Sequence, residues 1–189
     1  MDNTLKIINY LGKNFGKSFT MHELSKSINI PYATFHRTIN KMNGLVKIQA
    51  IGKAKTVNLN TDNAVIKSYL TISSEEEKND FLKKQPVISK IASELNTEDI
   101  VMLFGSYAKG TERGSSDIDL LIINKSGEKT ISFSKYEVLF KKKIDPIFLT
   151  YKEFIGMLKD NFENVGKQAL KGHIILHRPE NFWECVLNG

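Results

Sequence analysis

The sequence predicts an α/β (α+β) protein with two domains and a helical connector between them. Residues 1–62 have the pattern of three helices followed by a β-hairpin, and after residue 98 apolar strand-like segments alternate with helical ones. Residues 1–62 also carry nine basic and three acidic side chains, a net charge of +6, which is the net charge of the whole 189-residue chain. Charge confined to one part of a chain favours a first domain that binds a polyanion.

Composition and hydropathy exclude several classes of protein. With 41% hydrophobic and 10% aromatic residues, the chain can bury a core and is not intrinsically disordered. Its one cysteine, Cys185, excludes an internal disulfide and a cysteine-based zinc cluster. No apolar stretch approaches the roughly 18 residues of a membrane span, and residues 1–6 do not resemble a secretory signal. We therefore expect a cytoplasmic protein with no membrane partner.

Three helices and a hairpin are predicted in the first 62 residues. Apolar residues at helical spacing over 5–15 indicate the first helix, which Gly16 ends. The segment Thr20–Glu23 is a capping box that begins the second helix, and Pro31 begins the third, which extends to Gly44. Two β-prone segments, 45–51 and 56–60, follow and are separated by the basic turn 52–55.

This order of elements resembles a winged helix-turn-helix domain. The resemblance implies that the third helix enters the major groove of duplex DNA and that the hairpin tip contacts phosphates or the minor groove. The implied DNA-binding residues are Tyr32, Thr34, His36, Arg37, Asn40, Lys41, Lys53 and Lys55. The alternative is that these side chains form an ordinary solvated surface and that the domain only dimerises or docks to another protein.

Residues 63–97 are expected to form a helical connector between the domains. Ser73 to Glu77 have the composition of a helix start, with acids that complement the positive end of the helix dipole. Pro86 ends or restarts this helix, and apolar residues from Val87 to Leu95 provide its buried face.

The residues that indicate a catalytic site lie in the C-terminal domain, residues 98–189. The apolar run 100–104 predicts a buried strand that leads directly into Gly105 and Ser106, whose backbone N–H groups can hold a phosphate. Asp117 and Asp119 stand two residues apart at the start of a second strand, so both side chains project from one face. The apolar residues around them, Ile118 and Leu120 to Ile123, indicate that this strand is buried. We expect buried acids without a basic partner to need a cation, and Mg²⁺ bound together with substrate phosphates suits them.

The motif of Gly-Ser, about ten residues and Asp-x-Asp on a second strand resembles the signature of the DNA polymerase β-like nucleotidyltransferase superfamily, and closely its minimal nucleotidyltransferase branch. The resemblance implies a mixed sheet flanked by helices and a third carboxylate on a following strand, for which Asp145 stands at the matching position. The next residue, Pro146, departs from the usual apolar strand and predicts that this strand either lies at a sheet edge or begins there.

The same resemblance implies a reaction and assigns roles in it. Asp117, Asp119 and Asp145 would be both metal ligands and catalytic residues, holding two Mg²⁺ ions with ATP or another nucleoside triphosphate as substrate. Gly105 and Ser106 would hold phosphates. Lys109 and Arg113 are either phosphate partners or simple surface charges, and Ser116 either contacts phosphate or caps the turn.

Two functions of different class remain open from the sequence alone. The first is a Mg²⁺-dependent nucleotidyltransferase, an adenylyltransferase by resemblance, coupled to a DNA-binding domain. The second is a transcriptional regulator whose nucleotidyltransferase-like domain only senses a nucleotide. We expect the acceptor of the first to be a protein hydroxyl. The resemblance itself points either to a protein partner such as a HEPN-type toxin or to a small-molecule antibiotic. The sequence does not name the acceptor or say whether the chain forms a homodimer.

Overall fold

The computed structural model describes residues 1–52 and 54–189, which form two compact units, Met1–Ser74 and Glu75–Gly189. The division predicted from the sequence, with boundaries after residues 62 and 97, stays a prediction. Lys53, predicted to bind DNA, lies outside the described residues. No described helix combines the length and the apolar character that crossing a membrane requires.

Within the first unit, residues 3–59 form three helices and a small antiparallel sheet. These elements are α1 Asn3–Lys13, β1 Phe19–Thr20, α2 Met21–Ser27, α3 Tyr32–Lys41, β2 Val46–Ile51 and β3 Ala54–Leu59, and the strand order is β1-β3-β2. The predicted capping box is confirmed, because the Thr20 hydroxyl accepts from the Glu23 backbone and the Glu23 carboxylate accepts from Thr20 N. The two-residue strand β1 was not predicted, since only its pairing with Val57 and Thr56 of β3 makes it a strand.

The apolar stripes predicted for the three helices form the core of this unit. Ile8 and Leu11 of α1 and Phe35 and Ile39 of α3 are buried, as is Met42 just after α3. Their burial leaves the opposite face of α3 to solvent.

The predicted helix start at Ser73–Glu77 is wrong. Helix α4 begins earlier and runs from Ile66 to Leu82 through these residues. Ser73 and Ser74 are buried, and the Ser73 hydroxyl donates to Leu70 O at 2.9 Å, so it is satisfied inside the helix rather than at its end. Pro86 does begin a helix, α5 (Pro86–Ser93), as predicted.

The second unit contains a mixed four-stranded sheet between helices. After α5 its elements are β4 Ile100–Phe104, α6 Gly105–Lys109, β5 Ile118–Asn124, α7 Ser134–Phe140, β6 Ile144–Thr150, α8 Tyr151–Lys159, α9 Val165–Lys171, β7 Ile174–His177 and α10 Pro179–Asn188. The strand order is β6-β5-β4-β7, with β5 and β6 parallel and the other pairs antiparallel. Strand β6, which contains Pro146, lies at the edge, as that residue predicted.

Each face of this sheet has its own apolar layer. On one face, alternate residues of the strands, such as Leu103, Leu120 and Ile122, pack with α5 and with the residues around α7. The opposite face carries α8 and α10, whose Phe154, Phe182 and Trp183 are fully buried. Because strand side chains alternate, Asp119 and Asp145 belong to this second face.

Helix α7 was not predicted, and an ion network ties it to α5. Glu94, the C-cap of α5, accepts from Lys135 Nζ and Tyr136 Oη of α7 at 2.9 Å each and pairs with Lys90 at 2.5 Å. These hydrogen bonds, that of Lys90 first, lower the pKa of Glu94 to about 2.

Replacing Glu94 should therefore change how stability depends on pH. The carboxylate contributes fully above its ordinary pKa of 4.5, and the contribution is lost as the pH falls towards about 2. We expect Glu94→Gln to lower the melting temperature at pH 7 by roughly 2 °C, as an exposed ion network allows, and to match the wild type at pH 2. Thermal unfolding over a pH series measures this.

The matched control is Glu128→Gln, which removes an exposed acid outside this network. Equal melting temperatures for wild type and Glu94→Gln at pH 7 would show that the network does not stabilise the fold.

Candidate active site

Three aspartates meet where β4 ends and where β5 and β6 begin. Asp119 pairs with Phe104, the last residue of β4, on one side and with Asp145 of β6 on the other. Asp117 precedes β5 by one residue. In a parallel pair, residues in register project from the same face, and so do residues two apart along a strand. The pairing therefore places all three carboxylates on one face at one end of the sheet.

Buried apolar neighbours hold this register in place. Ile118 and Leu120, on either side of Asp119, are fully buried, and so are Leu121 to Ile123 further along β5. A shift of β5 by one residue would turn the Asp119 carboxylate into the apolar layer on the other face, where a charged group is costly to bury. The hydrophobic pattern thus fixes where the carboxylates lie.

Gly105 allows the closest approach in the site. Its φ is +71°, and a Cβ built on it would lie 1.9 Å from Asp119 Oδ2. No side chain can occupy that space while Asp119 keeps its position. The glycine that begins α6 is therefore required by the aspartate on the neighbouring strand as well as by its own backbone conformation.

The electrostatics of the site centre on Asp119. Partial burial raises the pKa of this carboxyl above its ordinary value, and the negative charges of Asp145 and Asp117 raise it further, while Lys143 opposes them. A raised pKa at Asp119 is the expected result of placing other carboxylates beside it.

Lys143 contacts two of the three acids, and sequence reasoning missed it. Its Nζ lies 2.8 Å from Asp145 Oδ2 and 3.4 Å from Asp117 Oδ2. The expectation that Asp117 and Asp119 are buried acids without a basic partner is thus wrong for Asp117, which is half-buried and contacts Lys143. The signal in the sequence was the Lys-x-Asp spacing, which places Lys143 on the same face of the strand as Asp145.

The donor chemistry of the three carboxylates fits a hard divalent cation. They are oxygen ligands on one face, at adjacent register positions, and mutual repulsion already acts on Asp119. In residues 1–52 and 54–189, no three His, Cys, Asp or Glu side chains converge as a ready-made metal site. Here the conformations of Asp117 and Asp145 are those that pair with Lys143. The backbone register already places the three side chains on one face of the sheet.

The residues predicted to bind nucleotide lie in and after α6. Gly105 and Ser106 are its first two residues, and Lys109, its last, is exposed with its side chain close to Gly172. Arg113 is exposed in the following loop. The Ser116 hydroxyl accepts from Arg113 N at 2.8 Å, which is the turn-capping alternative.

Most of the residues that α3 was predicted to use for DNA lie on the face of this helix opposite to its buried Phe35 and Ile39. Five of those on α3 are exposed, namely Tyr32, His36, Arg37, Asn40 and Lys41, while Thr34 is half-buried. Asn40 Nδ2 lies 3.3 Å from His36 Nδ1, and Arg37 Nε donates to Ala33 O at 3.4 Å. Lys55 is exposed on β3 beside the hairpin tip.

A family model described as "Polymerase beta, Nucleotidyltransferase" matches residues 87–181, half of the chain. The chain belongs to this nucleotidyltransferase family. The match begins in α5, ends in α10 and includes all three aspartates, Gly105 and Ser106. It supports a nucleotidyltransferase enzyme in general and so confirms the superfamily that the Gly-Ser and Asp-x-Asp motif predicted. No curated protein and no solved structure matches the chain significantly.

A substitution at Gly105 tests the close contact with Asp119. Gly105→Ala forces a methyl group against the Asp119 carboxylate and strains a backbone at φ +71°. We expect it to lower the melting temperature by several degrees and to abolish nucleotidyl transfer.

Gly110→Ala is the matched control, since Gly110 has a similar φ of +65° with no atom within 4 Å of its Cβ position. Both variants carry the backbone strain, and the contact with Asp119 is specific to the first. Melting temperatures that fall equally would refute the steric argument.

Proposed function

We propose that the protein is a Mg²⁺-dependent nucleotidyltransferase that moves the adenylyl group of ATP to a protein hydroxyl, and that its N-terminal unit is a winged helix-turn-helix that binds duplex DNA. The observation that carries the enzymatic part is the register of Asp119 with Asp145, with Asp117 on the same face. We place the protein in the cytoplasm, where duplex DNA and nucleoside triphosphates are both available.

In this proposal the three carboxylates have different roles in binding metal and activating the acceptor. Asp117 and Asp119 would hold two Mg²⁺ ions, with Asp145 as a further ligand on the side of the attacking hydroxyl. Bound Mg²⁺ neutralises phosphate charge, lowers the pKa of the attacking hydroxyl and stabilises the leaving group. The backbone of Gly105 and the Ser106 hydroxyl would hold the β and γ phosphates, with Lys109, Arg113 and Ser116 as further partners.

The reaction is an in-line displacement at the α-phosphorus. The acceptor oxygen forms a bond to this phosphorus, the bond to the bridging oxygen of the β-phosphate breaks, and pyrophosphate leaves. Asp145 takes the proton of the acceptor hydroxyl. Its exposure supports this role, because an acceptor on another molecule can reach it.

The packing of the second unit supports a protein acceptor. A transferase for small molecules encloses its acceptor, since ligand pockets bury most of the ligand. In this chain the segment after β6 is used to cover the sheet, with Phe154, Phe182 and Trp183 fully buried. An open site favours a loop or tail of another protein, such as a HEPN-type toxin, or of a second copy of this chain in a homodimer.

The first unit supports the DNA-binding part of the proposal. Helix α3 presents five exposed polar or aromatic side chains on one surface, and a β-hairpin with Lys55 near its tip follows it. The net charge of +6 in residues 1–62 suits a polyanion. Arg37 and Asn40 are residue types that make bidentate contacts with bases.

A regulator that senses a nucleotide without turnover is the second candidate. The contact of Lys143 with Asp145 favours this candidate, because the ammonium group must move before that carboxylate can act as a base. Against it stands Asp145 itself, since a sensor has no need of a proton acceptor beside the phosphates.

Transfer is tested with the intact chain, labelled ATP and Mg²⁺, with and without the product of the neighbouring gene. We expect adenylyl addition to protein, visible in intact masses, and a loss of about 100-fold or more in Asp119→Asn with the fold retained. Glu128→Gln removes an exposed acid just beyond the end of β5 that is opposite to Asp119, and this variant should transfer normally. Transfer only to a small hydroxyl compound would overturn the protein acceptor, and nucleotide binding without transfer would favour the sensor.

DNA binding is tested with the full chain over a range of salt concentrations. Lys55→Ala should reduce the slope of log affinity against log salt by roughly 0.9, the value of one phosphate contact. Arg37→Ala should relax sequence preference and cost about 1 to 3 kcal/mol at a cognate site. Lys6→Ala, exposed on α1, is the charge-matched control. Binding that does not depend on salt would leave this unit as a docking module.

A further inference from the structure

Lys143 contacts the carboxylates that the proposed function assigns to metal. We propose that Lys143 is a built-in counter-ion that competes with divalent cations for Asp117 and Asp145, so that it lowers the affinity of the site for free metal. This inference rests on the proposed function, because it presupposes that the aspartates bind metal.

The backbone fixes Lys143 in this position. It is the last residue before β6, and its carbonyl accepts from Ile118 N at 2.9 Å, in the first step of the pairing of β5 with β6. Its side chain therefore projects from the same face as Asp145, two residues later. The ammonium reaches Asp145 at 2.8 Å and Asp117 at 3.4 Å because strand register brings all three groups together.

The neighbouring lysine has a different partner, which makes the role of Lys143 specific. Lys142 donates to Gly114 O and lies 5.9 Å from the centroid of the Tyr107 ring. Lys142 thus fastens the loop that precedes Asp117, whereas Lys143 neutralises the acids themselves.

The ion pairs of Lys143 with Asp117 and Asp145 are weak enough for a divalent cation to displace the ammonium group. The side chain of Lys143 is 59% exposed, and ion pairs at such exposure contribute little net stability. A divalent cation carries twice the charge and binds carboxylate oxygens directly, so it can displace the ammonium. A metal ion that binds must nevertheless break the contacts of Lys143 with the carboxylates, which costs free energy. A variant without the ammonium group does not have this cost and should bind metal more tightly.

The test measures binding of Mn²⁺ alone by electron paramagnetic resonance in wild type, Lys143→Met, Lys143→Arg and Lys125→Ala. We expect Lys143→Met to bind Mn²⁺ about tenfold more tightly than wild type, with the difference shrinking at high salt. Lys143→Arg keeps the charge and should resemble wild type. Lys125, exposed just after β5, is the control for loss of one positive charge.

A second readout needs no metal. In EDTA, Lys143→Met should lower the melting temperature, because the three acids then repel without a counter-ion, and should lower it less in an Asp117→Asn background. An additive pair of substitutions would overturn the counter-ion role.

The outcomes separate this inference from the proposed function. Equal Mn²⁺ affinities in wild type and Lys143→Met overturn the inference and leave the metal site intact. If neither protein binds Mn²⁺ with or without ATP, the proposed function falls and the inference falls with it.

Discussion

The parallel pairing of β5 with β6 is the constraint on which the site depends. It places Asp119 beside Asp145, sets Asp117 and Lys143 on the same face, and lets the Lys143 carbonyl bond to Ile118 N. Like charges at such positions oppose the pairing, by roughly 1 to 4 kcal/mol for two charges about 4 Å apart near a surface. The buried apolar residues of β5 outweigh this, since each contributes about 2 kcal/mol on burial.

A sheet that forces acids together needs something to balance their charge. Within the chain Lys143 supplies part of that balance, and its exposure makes the arrangement reversible. The contact of Gly105 with Asp119 adds a steric constraint, so that one carboxylate is held at the start of α6 while the others can rotate. A fixed backbone with adjustable carboxylates is well suited to a site that binds a cation together with the phosphates of its substrate.

Sequence patterns predicted the elements whose signals are local. Capping by Thr20 and Glu23, the helix start at Pro86, the strand 100–104 and the edge position of Pro146 are all confirmed, because each follows from neighbouring residues. Strand β1 was missed because only its pairing with β3 makes it a strand, and helix α7 was also missed. The serines of α4 were misinterpreted because burial, which the pattern does not reveal, decides where they lie. The contacts of Lys143 were missed for a related reason. Its partner Asp117 is distant in sequence and is brought close only by the pairing of β5 with β6.

The central claim is that the paired register of β5 and β6 creates a divalent cation site. Crystals of the intact protein soaked in MnCl₂ with a non-hydrolysable ATP analogue test it through the anomalous scattering of manganese. The account predicts an anomalous peak at about 2.1 Å from carboxylate oxygens of Asp117 and Asp119, with Lys143 turned away. Density that shows the analogue bound with Lys143 still paired to Asp117 and Asp145, and no manganese at these acids, would contradict it.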